Sequence, residues 1–278
     1  MKAIVITGAS TGIGAVCAEY LAGRGYHIFA GVRKAADGDR LRERIPQNLT
    51  PLMMDVTQAE TLQAAAQAVQ EIVGEAGLFA LINNAGVAYP GPLEFVPAAE
   101  IDQHFAVNVR GVILTTQAFL PLLRQGQGRI LQMSSMGGKS AIPYFGTYCA
   151  SKFALEGLSD SLRLELKPWG IKVIVLQPGA IETPIWAKAA GGEGVMFQGY
   201  PPAAQALYGP AMHYLSKVIP KMKGLPPERV AQVAEKALTA RRPKARYVLD
   251  TTSRIRALLE LLPSSWRDAL IAKVMKTG

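Results

Sequence analysis

"TGASTGIG", residues 7–14, stands between a short apolar run, KAIVIT at 2–7, and a segment with helical spacing, IGAVCAEYLAGRG at 13–25. Its glycines fall at 8, 12 and 14. Glycine permits a tight turn and lets a backbone approach a pyrophosphate closely. A helix beginning there aims free N–H groups and a partial positive charge at an anion. Ile13, Val16, Cys17, Tyr20 and Leu21 set the helical stripe, and Gly23 and Gly25 close it. YHIFAGV at 26–32 supplies a second strand. Strand, glycine turn, helix and strand make a βαβ unit, the context in which such a turn holds a dinucleotide.

The alternation continues along the chain. Strands are expected at 49–56, 78–86, 128–135, 171–179 and 245–250. Helices are expected at 59–76, 97–125 (bent near Pro121), 147–170 and 227–241. The inner strands are continuous apolar runs, as strands covered on both faces are. The pattern predicts an α/β fold, a Rossmann-type doubly wound parallel sheet with helices on both faces. No linker or internal repeat divides residues 1–278, so one domain is expected. In it, 184–226 would form a substrate lid and 251–278 a helical tail.

Composition narrows the function classes. Hydrophobic residues make up 49% and charged residues 18% of the 278, enough for a sizeable core. Cys17 and Cys149 form neither a disulfide framework nor a metal-ligand cluster, so reduced thiols, a cytoplasmic setting and no metal are expected. No histidine lies near Cys149 in sequence to activate it as a nucleophile. The N-terminal apolar run stops at Thr7, too early for a signal peptide, and no run of apolar residues is long enough for a membrane span. The net charge of +9 is scattered, without an aromatic-interleaved basic stripe, so it favours phosphate-bearing ligands over nucleic acid.

One pair carries chemistry. YCASK at 148–152 places Tyr148 and Lys152 four residues apart, on one face of a helix. A phenol with a pKa near ~10 exchanges protons poorly at neutral pH, and an adjacent ammonium favours its ionised form. The pair is either a tuned acid/base or a solvated helix face, and its surroundings decide between them.

TGASTGIG, DV at 55–56, NNAG at 83–86, Asn108, Ser135, YCASK and PGAIET at 178–183, in that order and spacing, resemble the short-chain dehydrogenase/reductase (SDR) family. The resemblance covers about residues 1–183. It implies an oxidoreductase that moves a hydride between a nicotinamide cofactor and a carbonyl or alcohol. Asn108, Ser135, Tyr148 and Lys152 would be the catalytic residues. Ser135 would bind the reacting oxygen, and Tyr148 would give or take its proton. Lys152 would lower the phenol's pKa and hold the nicotinamide ribose, and Asn108 would hold a water linking Lys152 to solvent. A shift of three pKa units requires about 4 kcal/mol, attainable with two cations, the ammonium and an oxidised nicotinamide, in a partly dry site.

The same resemblance places Gly8, Ser10, Thr11, Gly12, Ile13 and Gly14 under the phosphates. Asp55 and Val56 would lie at the adenine, Asn84, Ala85 and Gly86 along the adenine ribose, and Pro178, Gly179, Ile181 and Thr183 beside the cofactor. Ser10 and Thr11 could equally cap the first helix, and Asp55 the helix from 58. NNAG could be structural, with Asn83 tying strands together, and both roles can coexist. Val32 stands where an acid would bind the 2′-hydroxyl of NAD, and Arg33 follows it. A guanidinium suits a 2′-phosphate, so NADP is expected over NAD, although Arg33 could also be a solvated loop charge.

Trp186, Met196, Phe197, Tyr200, Tyr208 and Met212 suggest a hydrophobic ketone or alcohol substrate. FAGVRK at 29–34 with the long lid resembles the branch acting on steroids, retinoids and fatty acyl ketones. Members assemble through the helices carrying Asn108 and Tyr148, so a homodimer or homotetramer is expected. The amphipathic basic tail at 253–276 fits weak peripheral membrane contact, but packing on the protein's own core or a neighbouring subunit is favoured. The rival to an enzyme is a non-catalytic NAD(P)-binding sensor or scaffold of the same fold.

Overall fold

The computed structural model describes residues 1–183, 200–218 and 224–275. Seven strands form one parallel sheet in the order β3-β2-β1-β4-β5-β6-β7. They are β1 (Ala3–Ile6), β2 (His27–Val32), β3 (Leu49–Met53), β4 (Ala80–Asn83), β5 (Arg129–Met133), β6 (Lys172–Gln177) and β7 (Arg246–Val248). β1 pairs with β2 on one side and β4 on the other, so the winding reverses between β1 and β4. A crevice opens at the carboxyl ends of strands at such a reversal.

Both faces of the sheet are covered, which is why its strands lack polar alternation. On one face α1 (Gly12–Ala22) and α8 (Pro227–Thr239) bury Cys17, Leu21, Val230 and Leu238 against Ile4, Ile6, Ile28 and Ile82. On the other, α3 (Ala59–Val73) and α5 (Gly111–Gln125) bury Leu62, Val69, Phe119 and Leu123 against Val5, Phe29, Leu81 and Ile130. Each fully buried aliphatic side chain of this kind contributes roughly 1.5–3 kcal/mol of transfer free energy. α6 (Gly146–Glu165) lies along β6, and α7 (Pro202–Val218) is the described part of the expected lid.

Two sequence expectations are corrected. A helix α2 (Ala35–Arg44) follows β2, where none was expected. It is short and rich in charge, and only Gly38 and Leu41 are buried, so it has almost no apolar stripe to detect. The stretch 97–125 is α4 (Ala98–Phe105), a π-helical turn at Ala106–Arg110 and then α5, so its irregularity is at Asn108 rather than Pro121. Pro121 is tolerated inside α5 because it and Gln117, whose carbonyl it leaves without an N–H donor, are both exposed to water. Although Ala98–Gln125 is long and apolar enough by composition to cross a membrane, half of its most apolar window is buried, and α5 packs against β4 and α3.

The tail is α9 (Thr251–Leu259) and α10 (Ser264–Met275), interrupted at Pro263. Arg256 fastens α9 by donating to the Ser140 hydroxyl and to its carbonyl at 3.0 and 2.6 Å. Ile255, Leu258, Leu261 and Trp266 nevertheless face solvent, so they do not pack on the protein's own core.

Candidate active site

The crevice between β1 and β4 is lined first by the glycine turn. Gly8 has φ +64°, and a Cβ there would lie 2.9 Å from the Ala85 Cα. A Cβ on Gly14 would fall 2.4 Å from the Gly8 carbonyl oxygen and 2.5 Å from Asn84 Nδ2. The turn and NNAG are therefore one packed unit. Asn84 Nδ2 donates to the carbonyls of Thr7 and Gly8 at 2.9 and 3.2 Å, and the Thr7 hydroxyl accepts from the N–H groups of Asn84 and Ala85, both at 2.9 Å. Asn83 ties β4 to helix α5, through Thr116 Oγ1 at 3.1 Å, rather than to another strand.

Around this turn runs a cavity of about 370 Å³, lined by Ser10, Thr11, Gly12 and Ile13 as well as Gly8. Arg33, Asp55 and Val56 border it beyond β2 and β3. Asn84, Ala85 and Gly86 line its middle, and Pro178, Gly179, Ile181 and Thr183 its far wall. Ser135, Tyr148 and Lys152 close the inner end. Thr11 occupies the N-cap position of α1 with extended backbone. Asp55 accepts from the Thr57 N–H and hydroxyl at 2.9 and 2.7 Å, which shapes the turn before α3, while Gln58 rather than Asp55 stands at that helix's N-cap. Arg33 is exposed at the cavity edge, and its charge reaches the Tyr89 phenol, which also lines the cavity. The glycine cradle, which a Cβ would fill, the N-terminus of α1 beside it and the cavity's size fit a nicotinamide dinucleotide.

At the inner end, Tyr148 and Lys152 share one face of α6 and are both buried. The ammonium donates to the Met133 carbonyl at 2.9 Å and lies 5.9 Å from the centre of the Tyr148 ring. Ser135, at the carboxyl end of β5, faces the phenol and accepts from the Gly137 N–H at 3.0 Å. Its neighbour Ser134 is turned inward, as strand alternation requires. Asn108 does not line the cavity. Its carboxamide grips the 86–88 loop by accepting from the Val87 N–H at 2.9 Å and donating to the Val87 carbonyl at 3.0 Å, and it also donates to Ser151 Oγ at 3.0 Å. A Cβ on Gly86 would sit 3.3 Å from the Asn108 oxygen and 3.7 Å from the Lys152 nitrogen, so loop, amide and ammonium meet at one point.

The electrostatics reverse one expectation. Burial pushes the Tyr148 phenol up to about 12, and the Ser135 hydroxyl opposes this. Burial pulls Lys152 down to about 8, with Glu156 acting to raise it. Desolvation outweighs the attraction between the two groups because both are away from water and the ammonium is directed at the Met133 carbonyl.

Sequence reading missed several residues of the site. Met54, Val87, Ala88, Tyr89, Val107 and Met133 line the cavity, and nothing in their type or spacing marks them. His104, one turn before Asn108, is fully buried and accepts from the Tyr89 N–H at 3.0 Å. Desolvation holds its pKa down to about 4, so at neutral pH it is an acceptor for the loop. Asp250 and Ser253, at the start of α9, press on Gly179, where a Cβ would lie 2.5 Å from Ser253 Oγ. Over Tyr148, Met212 and Leu215 of α7 pack with Ala88, Phe145 and Cys149, bordered by Tyr144, Tyr200 and Tyr208. Trp186, Met196 and Phe197 lie outside the described residues.

The profile of the short chain dehydrogenase family matches residues 2–193. The chain belongs to this family. Among curated relatives, it is 36% identical over 285 residues to an NADPH-dependent 3-dehydrocapnine reductase of Ornithobacterium rhinotracheale, covering 99% of this chain and 98% of that one. It is 36% identical over 284 residues to mouse (Mus musculus) retinol dehydrogenase 5, covering 99% and 87%. Among solved structures, a short-chain dehydrogenase/reductase from Burkholderia phymatum in complex with NAD has a TM-score of 0.78 at 27% identity, covering 93% of this chain and 92% of that one. This SDR is an oxidoreductase that binds a nicotinamide cofactor and acts on a small molecule.

The cradle makes the first prediction. In Gly14→Val the new side chain must displace the Gly8 carbonyl or the Asn84 amide. We expect the cofactor affinity of this variant, measured by fluorescence titration, to fall more than about tenfold, the cost of a strained turn of 1.4 kcal/mol or more.

Proposed function

We propose that this SDR reduces a ketone on a hydrophobic small molecule to a secondary alcohol with NADPH, with Tyr148 as the general acid. The observation that carries the reading is a buried phenol between Ser135 and Lys152, protonated up to about 12, at the inner end of the dinucleotide cavity. A protonated phenol is the form that ketone reduction needs, because the alkoxide that develops must receive a proton. The nicotinamide, when bound, supplies the hydride.

The rest of the site has positioning roles. Ser135 holds the substrate oxygen toward Tyr148. Lys152 fixes the ribose end of the cofactor and replaces the lost proton, relayed through a water held near Asn108. Gly8, Ser10, Thr11, Gly12, Ile13 and Gly14 receive the pyrophosphate, Asp55 and Val56 the adenine, and Asn84, Ala85 and Gly86 its ribose. Pro178, Gly179, Ile181 and Thr183 border the nicotinamide. Within the expected lid at 184–226, the described helix α7 serves as the cover: the apolar packing of Met212 and Leu215 above Tyr148 supports a substrate with a long or bulky hydrocarbon part. The names of the relatives, a 3-dehydrocapnine reductase and a retinol dehydrogenase, support ketone and alcohol chemistry.

NADP is favoured over NAD because Arg33 stands exposed at the cavity edge just after β2, beside Val32 rather than an acid. A guanidinium there pairs a 2′-phosphate, while a carboxylate would repel it. Phe105, Ile113, Phe153 and Leu158 are exposed on α4, α5 and α6, which supports assembly as a homodimer or homotetramer through these helices.

The catalytic test follows NADPH oxidation by absorbance with a panel of hydrophobic ketones. Wild type is expected to turn over at least one of them. Tyr148→Phe is expected to lose more than about a hundredfold in kcat, the low end of a general acid's contribution, while still binding NADPH. Absence of turnover by a cofactor-loaded wild type would favour the non-catalytic sensor instead. For the coenzyme, wild type is expected to bind NADPH more tightly than NADH, and Arg33→Ala to remove most of the difference; equal wild-type affinities overturn this choice.

A further inference from the structure

Tyr148, Lys152 and Glu156 stand at successive turns on one face of α6. The third of them lines no part of the cavity, yet its carboxyl group is buried and tightly held. Glu156 Oε1 accepts from Gln177 Nε2 on β6 at 3.0 Å, and Oε2 accepts from Arg246 Nε on β7 at 2.8 Å. The other arm of Arg246 donates to Asp160 at 2.8 Å, and Arg163 also donates to Asp160 at 2.8 Å. The side-chain stem is pinned from above, because a Cβ on Gly138 would lie 3.1 Å from Glu156 Cγ and 2.9 Å from the Lys152 carbonyl oxygen. A strut between α6 and β7 needs only the more exposed Asp160, which Arg246 already holds. Burying a second carboxylate costs desolvation energy that such a strut does not require.

We propose that Glu156 is a positioning residue for catalysis, a carboxylate fixed one turn behind Lys152 by Gln177 and Arg246 so that the active-site lysine stays charged while buried. This rests on the reading of Tyr148 and Lys152 as the catalytic pair. Among the described residues, the groups facing the Lys152 ammonium are Tyr148 and Glu156 on its own helix, the Met133 carbonyl on β5, the Asn108 amide on the π-helical turn and the neutral His104 on α4. Among the described residues, Glu156 is the charge that acts to raise the pKa of Lys152 against burial. Arg246 competes for the same carboxylate from β7, with Asp160 and Arg163 beyond it.

The sign of the effect does not depend on which member of the pair titrates. Removing the carboxylate disfavours the ammonium and favours the phenolate, so both pKa values fall. Removing the guanidinium raises both. The coupled pair therefore moves as a unit, down in one variant and up in the other.

The test compares Glu156→Gln and Arg246→Gln with wild type between pH 6 and 10. Glu156→Gln keeps the shape and leaves Arg246 on Asp160, so it is expected to fold. Two profiles are recorded: kcat/KM for ketone reduction, and NADPH affinity by fluorescence quenching. The alkaline limb of both is expected to move down by about one pH unit in Glu156→Gln and up in Arg246→Gln, the scale of a single nearby charge in a buried site. Limbs that stay in place while rates and melting temperatures drop would make Glu156 a structural strut and overturn the proposal. Shifts of the same sign in both variants would overturn it as well. If wild type turned over no ketone, the catalytic reading would fail on its own, while the pH limb of NADPH binding would still report the charge of Lys152.

Discussion

The chemistry of this protein depends on keeping a phenol and an ammonium buried side by side without an ion pair between them. Burial alone drives the two groups toward neutrality, Tyr148 upward and Lys152 downward. The fold prevents collapse of the arrangement by giving each group another partner. Lys152 donates to the Met133 carbonyl on β5, and Ser135 faces the phenol from the end of the same strand. Strand and helix thus hold the proton donor, the cation and the hydroxyl in fixed register before any substrate arrives. That preorganisation is what an acid catalyst of carbonyl reduction requires.

Sheet topology places this pair where a dinucleotide can reach it. The winding reverses between β1 and β4, and the turn that leaves β1 is locked to the turn that leaves β4 by Asn84 and Thr7. Glycine is required at 8 and 14 because two backbones and an amide occupy the space that a side chain would need. The Asn108 amide then ties the same β4 loop, at Val87, to Ser151 of α6. One continuous hydrogen-bonded rim therefore runs from the phosphate end of the cavity to the phenol. The π-helical turn at Ala106–Arg110 is part of this rim, the kind of local irregularity that recurs at functional sites.

Much of this was legible in the residues. The βαβ opening, the parallel sheet and the Tyr148–Lys152 stripe follow from apolar periodicity and glycine spacing, which are local properties. What stayed hidden is set by contacts between distant segments. Helix α2 lacks an apolar stripe because only Gly38 and Leu41 meet the sheet. His104 is a lone histidine in sequence and becomes a loop anchor only when Tyr89 folds over it. The direction of the Tyr148 shift depends on burial, which periodicity does not report, and without cofactor burial outweighs the charge argument. Asp55 and Asn83 show the mixture at single residues: both serve the fold through Thr57 and Thr116, while Asp55 also borders the cavity.

The most direct measurement is a titration of the Tyr148 phenol itself in the protein without cofactor, by NMR on carbon-13-labelled tyrosine with the resonance assigned through Tyr148→Phe. The account requires the resonance to stay in its protonated position through the ordinary tyrosine range near ~10 and to move only toward about 12. A phenol that ionises at or below its ordinary value in the empty cleft would contradict it, because burial would then not be what holds the proton in place.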